Sequence, residues 1–151
     1  MTENIDTYVI PEDSNKFLAE VLPKSNPLRI TWEVLSDEEK ESFLSAALRE
    51  IEAMQFIGER AYFYQPLKFP RIARGLPVNF LKAPLEIKRA QVLMAADIAR
   101  EELYIRRRNK DACVALGLIT ETQMPSEKSN NPIRQKIDNL LHRWITRWRK
   151  V

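Results

Sequence analysis

Two groups of residues in this chain are of types that recognise other molecules. In the stretch YFYQPLKFPRIARGLPV, Tyr62, Phe63, Tyr64 and Phe69 alternate with Lys68, Arg71 and Arg74. Aromatic faces stack on bases and cations hold phosphates, so this is the pattern of a single-stranded nucleic-acid contact. The stretch has no helical period, and Pro66, Pro70 and Pro77 restrict its backbone. The competing reading is a proline-stiffened loop whose aromatics pack inward. The second group is at the C-terminal end. Taking about 100° per residue, Ile133, Ile137, Leu140, Leu141, Trp144 and Trp148 fall in one arc of a helix. Lys136, Arg143, Arg147 and Lys150 gather on the opposite surface. Such a stripe either closes the chain's own core or anchors a partner, where Trp and Arg are favoured. A basic amphipathic helix also suits a membrane surface, but no second anchor accompanies it.

Most catalytic constellations are excluded by counting. His142 and Cys113 are the sole residues of their kinds, too few for a Cys/His zinc site and too few for a plausible triad. The three glycines, Gly58, Gly75 and Gly117, make no phosphate-cradling loop or dinucleotide fingerprint. Pairs such as Glu38–Glu39 and Glu101–Glu102 are adjacent on helices and do not converge on one substrate. The reading is therefore of a non-enzyme with no metal and no cofactor. A lone cysteine gives no internal disulfide and fits a reducing compartment. The N-terminal stretch lacks the pattern of a signal peptide, and no apolar run is long enough to span a membrane.

Charge is uneven. Residues 1–75 hold 9 Lys/Arg against 13 Asp/Glu, a net of −4, and residues 76–151 hold 15 against 8, a net of +7. An acidic half and a basic half can attract each other within a chain or between copies.

The elements that must position these groups are mainly helical. A first helix is expected over PEDSNKFLAEVLP, capped by Asp13 or Ser14 and ended by Pro23 and Pro27. A second opens at Ser36 with Glu39 completing a capping box. Phe43, Leu44, Ala47, Leu48, Ile51 and Met54 form its apolar stripe. A third starts near Pro84 and runs to about Arg108, with Ile87, Ala90, Gln91, Met94, Ala95, Ile98 and Leu103 on one side. ACVALGLITETQ is β-branched around Gly117 and reads as a short extended arm or strand pair. A loop over MPSEKSNN then leads to a last helix capped by Asn131 with Pro132 in its first turn. The fold class is thus a small helical bundle with a short extended or β arm and a C-terminal amphipathic helix. The organisation is a helical domain over 1–125, with the arm near 110–125, then a linker and a C-terminal helix over 126–151.

QPLKFPR at 65–71, followed by Pro84 and IKRA at 87–90 and the late Leu140–Leu141, resembles the head–tail connector proteins of long-tailed phages. These are also called adaptor or head-completion proteins, and related sequences carry the label DnaT-like single-stranded DNA-binding protein. The resemblance implies a structural virion protein in the head–tail neck, assembled in the bacterial host cytoplasm. Its partners would be further copies of itself in a ring, usually a dodecamer, and the portal protein above. A tail terminator or head-closure protein would follow below, with genomic duplex DNA passing through the lumen. On that reading Ile133, Ile137, Leu140, Leu141, Trp144, Arg147 and Trp148 dock the portal. Lys68, Phe69, Arg71 and Arg74 then form a channel-facing or inter-subunit loop. A single-stranded nucleic-acid-binding module is the alternative.

Overall fold

The computed structural model describes residues 7–76, 82–114 and 131–145, with side chains through Arg108 in the second stretch. These residues form five helices and one two-stranded antiparallel hairpin in the order α1 (Pro11–Val21), α2 (Pro27–Glu33), α3 (Asp37–Ala53), β1 (Glu59–Arg60), β2 (Arg71–Ile72), α4 (Leu85–Val114) and α5 (Pro132–Leu141).

Each helix start has a local cause. In α1 the first helical residue is Pro11, whose missing N–H costs nothing in a first turn. The helix begins two residues before the expected cap. Ser14 is buried instead: its hydroxyl donates to the Pro11 carbonyl at 2.6 Å and accepts the indole N–H of Trp32 at 3.1 Å. In α2, Asn26 accepts the Leu28 N–H at 2.9 Å and Pro27 takes the first position. The capping box of α3 forms as its sequence requires, with Glu39 N–H on Ser36 Oγ and the Ser36 N–H on the Glu39 carboxylate. In α5, Asn131 accepts the Ile133 N–H at 3.0 Å.

The long α4 is the axis of the molecule. Ile87, Ala90, Gln91, Met94 and Ala95 are buried as the spacing demands, and so are Val92, Leu93, Ala96 and Ala99. A helix that is apolar on every side must be enclosed, and α1, α2, α3 and α5 all pack against α4. Four alanines in this stretch keep its surface thin, so the surrounding helices come close. Phe17, Leu18, Leu28, Trp32, Phe43, Leu44 and Ile51 fill the space around it. The helix continues through Val114, past the expected end near Arg108. This corrects the expected extended arm over its first residues, since 112–114 are helical. The rest of that arm and the loop before Asn131 lie outside the described residues.

Ile133, Ile137, Leu141 and Trp144 belong to the same core cluster as α1 to α4. The Ile57 N–H donates to the Trp144 carbonyl at 2.8 Å, and Phe56 forms an isolated antiparallel bridge with Ile145. The end of α5 is therefore tied to the chain that leads into β1.

Candidate nucleic-acid interface

The hairpin that follows α3 is short. Glu59 lies across from Ile72 and Arg60 from Arg71. Two residues per strand are too few to hold a ten-residue loop, so side chains do that work. Gln65 is the internal brace: its Oε1 accepts the Tyr62 N–H at 3.0 Å, and its Nε2 donates to the carbonyls of Leu67 at 2.8 Å and Pro70 at 2.9 Å. The Phe69–Pro70 peptide is cis.

Arg71 is the brace at the neck. Its guanidinium donates to the carbonyls of Ile57 at 3.0 Å, Lys68 at 3.2 Å, Phe56 at 3.4 Å and Gly58 at 2.6 Å. Burial first, and then the nearby charge of Arg60, lowers its pKa from the ordinary guanidinium value. Five N–H donors in a rigid fork make this possible, and lysine has no equivalent. Gly58 has φ +77°, and a Cβ there would lie 2.1 Å from the Ile72 carbonyl oxygen. That position requires glycine both for its backbone and for the close approach of the opposite strand.

The base of the loop is dry. Phe69 is buried edge-on among three rings, 4.8 Å from Phe56, 5.2 Å from Trp144 and 6.0 Å from Tyr8 between centroids. Such pairs add to the area they bury. The Tyr8 hydroxyl accepts the Phe69 N–H at 3.1 Å and donates to the Glu52 carboxylate, which also accepts the Lys68 N–H. The Lys68 ammonium turns back onto the Met54 carbonyl.

Burial, followed by the bond to Glu52, pushes the Tyr8 phenol far above the ordinary tyrosine value. The folded chain therefore keeps a proton that the unfolded chain gives up near the ordinary tyrosine value of 10.0. The stabilisation from Tyr8 is complete below that pH and declines as pH rises beyond it. Denaturant midpoints measured at neutral and alkaline pH should show this decline, and Tyr8→Phe should reduce its steepness. At neutral pH the same variant leaves the Phe69 N–H without its acceptor and should cost about 1–3 kcal/mol.

The tip is the opposite of the base. Phe63 is 95% exposed and Tyr64 is 72% exposed. Tyr62 stacks on Tyr64 at 5.6 Å with 28° between the ring planes, and Phe63 meets Tyr64 edge-on at 5.3 Å. Three rings are thus gathered on a braced loop with little else around them. Arg60 and Arg74 are exposed on the same hairpin, at the neck and just past β2, and Glu59, next to Arg60 in β1, is exposed as well.

The sequence-derived sites divide accordingly. Of Lys68, Phe69, Arg71 and Arg74, the first three are engaged inside the loop, and Arg74 is exposed. The inward-packing reading holds for Phe69 and fails for Phe63 and Tyr64. In the C-terminal set, Ile133, Ile137, Leu141 and Trp144 are buried in the chain's own core, and Leu140 is partly buried against it. Their apolar face is already covered by α4 and the hairpin base, because that is where a short helix next to α4 gains most burial. The portal-docking assignment therefore has no free apolar surface in those four side chains. Arg147 and Trp148 lie outside the described residues. Arg60 was not in the sequence-derived set, since it precedes the proline-rich stretch and joins it through strand pairing alone.

Among the described residues, no group of His, Cys, Asp and Glu could hold a metal ion, and no helix is long and apolar enough to cross a membrane.

The fold and the hairpin define a small helical domain that presents an aromatic tip on a hydrogen-bonded loop. Residues 1–150 match the family described as "Putative DnaT-like ssDNA binding protein", and the chain belongs to that family. This is the description of a DNA-binding family and not of an enzyme family. No curated protein and no solved structure matches the chain.

Proposed function

We propose that this chain binds single-stranded DNA through the aromatic tip of its hairpin. The observation that carries the reading is the cluster of Tyr62, Phe63 and Tyr64, two of them exposed to water on a loop braced by Gln65 and Arg71. An exposed ring is costly in water and stacks well on an unpaired base, worth roughly 1–3 kcal/mol per base. A braced loop loses little freedom on binding. Arg60 and Arg74, exposed on the same hairpin, supply the cations for the flanking phosphates in this reading, and the family description agrees with this chemistry. Two cations are few. Each phosphate neutralised on a single strand contributes about −0.7 to the salt slope, so the slope should be near −1.4. Fluorescence anisotropy of a labelled oligothymidine over a salt series measures it. Tighter binding to the duplex than to the single strand, or a slope several times steeper, would defeat the reading.

The second reading is the head–tail adaptor that QPLKFPR and IKRA suggest. In it the chain forms a ring, dodecameric in keeping with the resemblance, beneath a portal protein. The ring extends the channel for duplex DNA and receives the next neck or tail protein. The tip would then seat against a neighbouring copy or the lumen. The charge imbalance between the two halves of the chain favours this reading. Co-purification of the full chain with the portal of its own phage, in the absence of DNA, separates it from the first.

A further inference from the structure

Two surfaces away from the hairpin have matching chemistry. The first is the C-terminal part of α4. Burial along this helix stops at Ala99, and none of the nine residues from Arg100 to Arg108 is buried. At 1.5 Å per residue that is roughly 13 Å of helix with no buried face. Tyr104 is 50% exposed and Ile105 is exposed beside it. Arg100, Arg107 and Arg108 lie three or four positions from Tyr104, so cations flank the ring along the helix. The acids on this segment are Glu102, which pairs with Arg106 at 2.5 Å, and Glu101, which is exposed. Arg100 pairs with the buried Asp97.

The second surface is the end of α2. Ile30 and Val34 stand four positions apart, and Val34 is 79% exposed. Their neighbours are acidic: Glu33, paired with Arg29, and then Asp37 and Glu38 in the first turn of α3. Here an apolar pair has an acidic border, and on α4 an apolar pair has a basic one.

We propose that the Arg100–Arg108 segment of α4 docks on the Ile30–Val34 patch of a second copy of this chain. The apolar pairs cover each other, and Arg107 and Arg108, on the Tyr104 side of the helix, face Glu33, Asp37 and Glu38. The contact joins two different surfaces, so it is heterologous and repeats from copy to copy until a ring closes or a filament grows. It is independent of single-strand binding at the hairpin tip. It supplies the ring reading with a contact surface but does not need a portal.

The test is sedimentation velocity of the full chain without nucleic acid, at low and at high salt. The wild type should associate with rising concentration and less so at high salt. Arg107→Glu with Arg108→Glu should lower association at least tenfold, and so should Glu33→Lys with Glu38→Lys. Mixing the two variants should restore it, because each then offers the surface the other lost; misfolded variants would not be rescued. Tyr104→Ser, an exposed change, should weaken association without altering the helical signal. A wild type that stays monomeric, variants that associate like it, a mixture without rescue, or association that requires added oligonucleotide would each overturn the proposal.

Discussion

Trp144→Ala should cost about 3–5 kcal/mol of folding stability, a large share of what a domain of this size has. The indole is 2% exposed and packs edge-on against Phe69 at 5.2 Å. Its Nε1–H donates to Glu86 at 2.8 Å, and Arg143 pairs with the same carboxylate. Its carbonyl holds the Ile57 N–H at the approach to the hairpin. Removing the ring opens a cavity between α5, α4 and the loop base, while the carboxylate keeps Arg143. An anchor waiting for a partner would behave differently: its loss would leave the isolated chain as stable as before. Chemical denaturation of the purified chain therefore reads directly whether this tryptophan belongs to the core. A midpoint equal to that of the wild type would return it to the surface.

The second large effect concerns binding and leaves stability alone. Phe63→Ala with Tyr64→Ala removes two exposed rings that lie outside the core and whose ring contacts are with each other and Tyr62. At roughly 1–3 kcal/mol per stacked base, the pair should lower affinity for a single-stranded oligonucleotide by about a hundredfold or more. The braces of the loop, Gln65 on Pro70 and Arg71 on Gly58, do not involve either ring. The variant should thus melt where the wild type does. Lost affinity with unchanged melting assigns the rings to recognition. Lost melting would assign them to the fold.

Much of the fold could be read from local chemistry. The capping box at Ser36 and Glu39, the Asn131 cap with Pro132, and the alanine-rich run after Pro84 each specify a helix within a few residues. What failed did so for identifiable reasons. Pro27 looks like a stop for α1, yet with Asn26 it is the start of α2, a seven-residue helix too short to show a period. The three consecutive arginines at 106–108 resemble a helix end, yet α4 continues through Val114.

The candidate site was legible in its residue types and not in their roles. Tyr62, Phe63 and Tyr64 look no different from Phe69 in the sequence. Their fates diverge because Phe69 meets Tyr8, Phe56 and Trp144, residues from three distant parts of the chain. Arg71 offered itself as a phosphate ligand, and the carbonyls of Phe56, Ile57 and Gly58 claimed it only once the hairpin closed. The stripe on α5 has the same form whether it covers a core or a partner. Nothing within the helix distinguishes the two; the apolar surface of α4 opposite it does.

The most direct measurement of the central claim is photocrosslinking of an oligonucleotide carrying a photoreactive base to the wild-type chain, with the attached residue identified by mass spectrometry. Stacking at the hairpin tip predicts attachment at Phe63 or Tyr64. Attachment confined to the basic end of α4, or none under conditions where the oligonucleotide is bound, would contradict it.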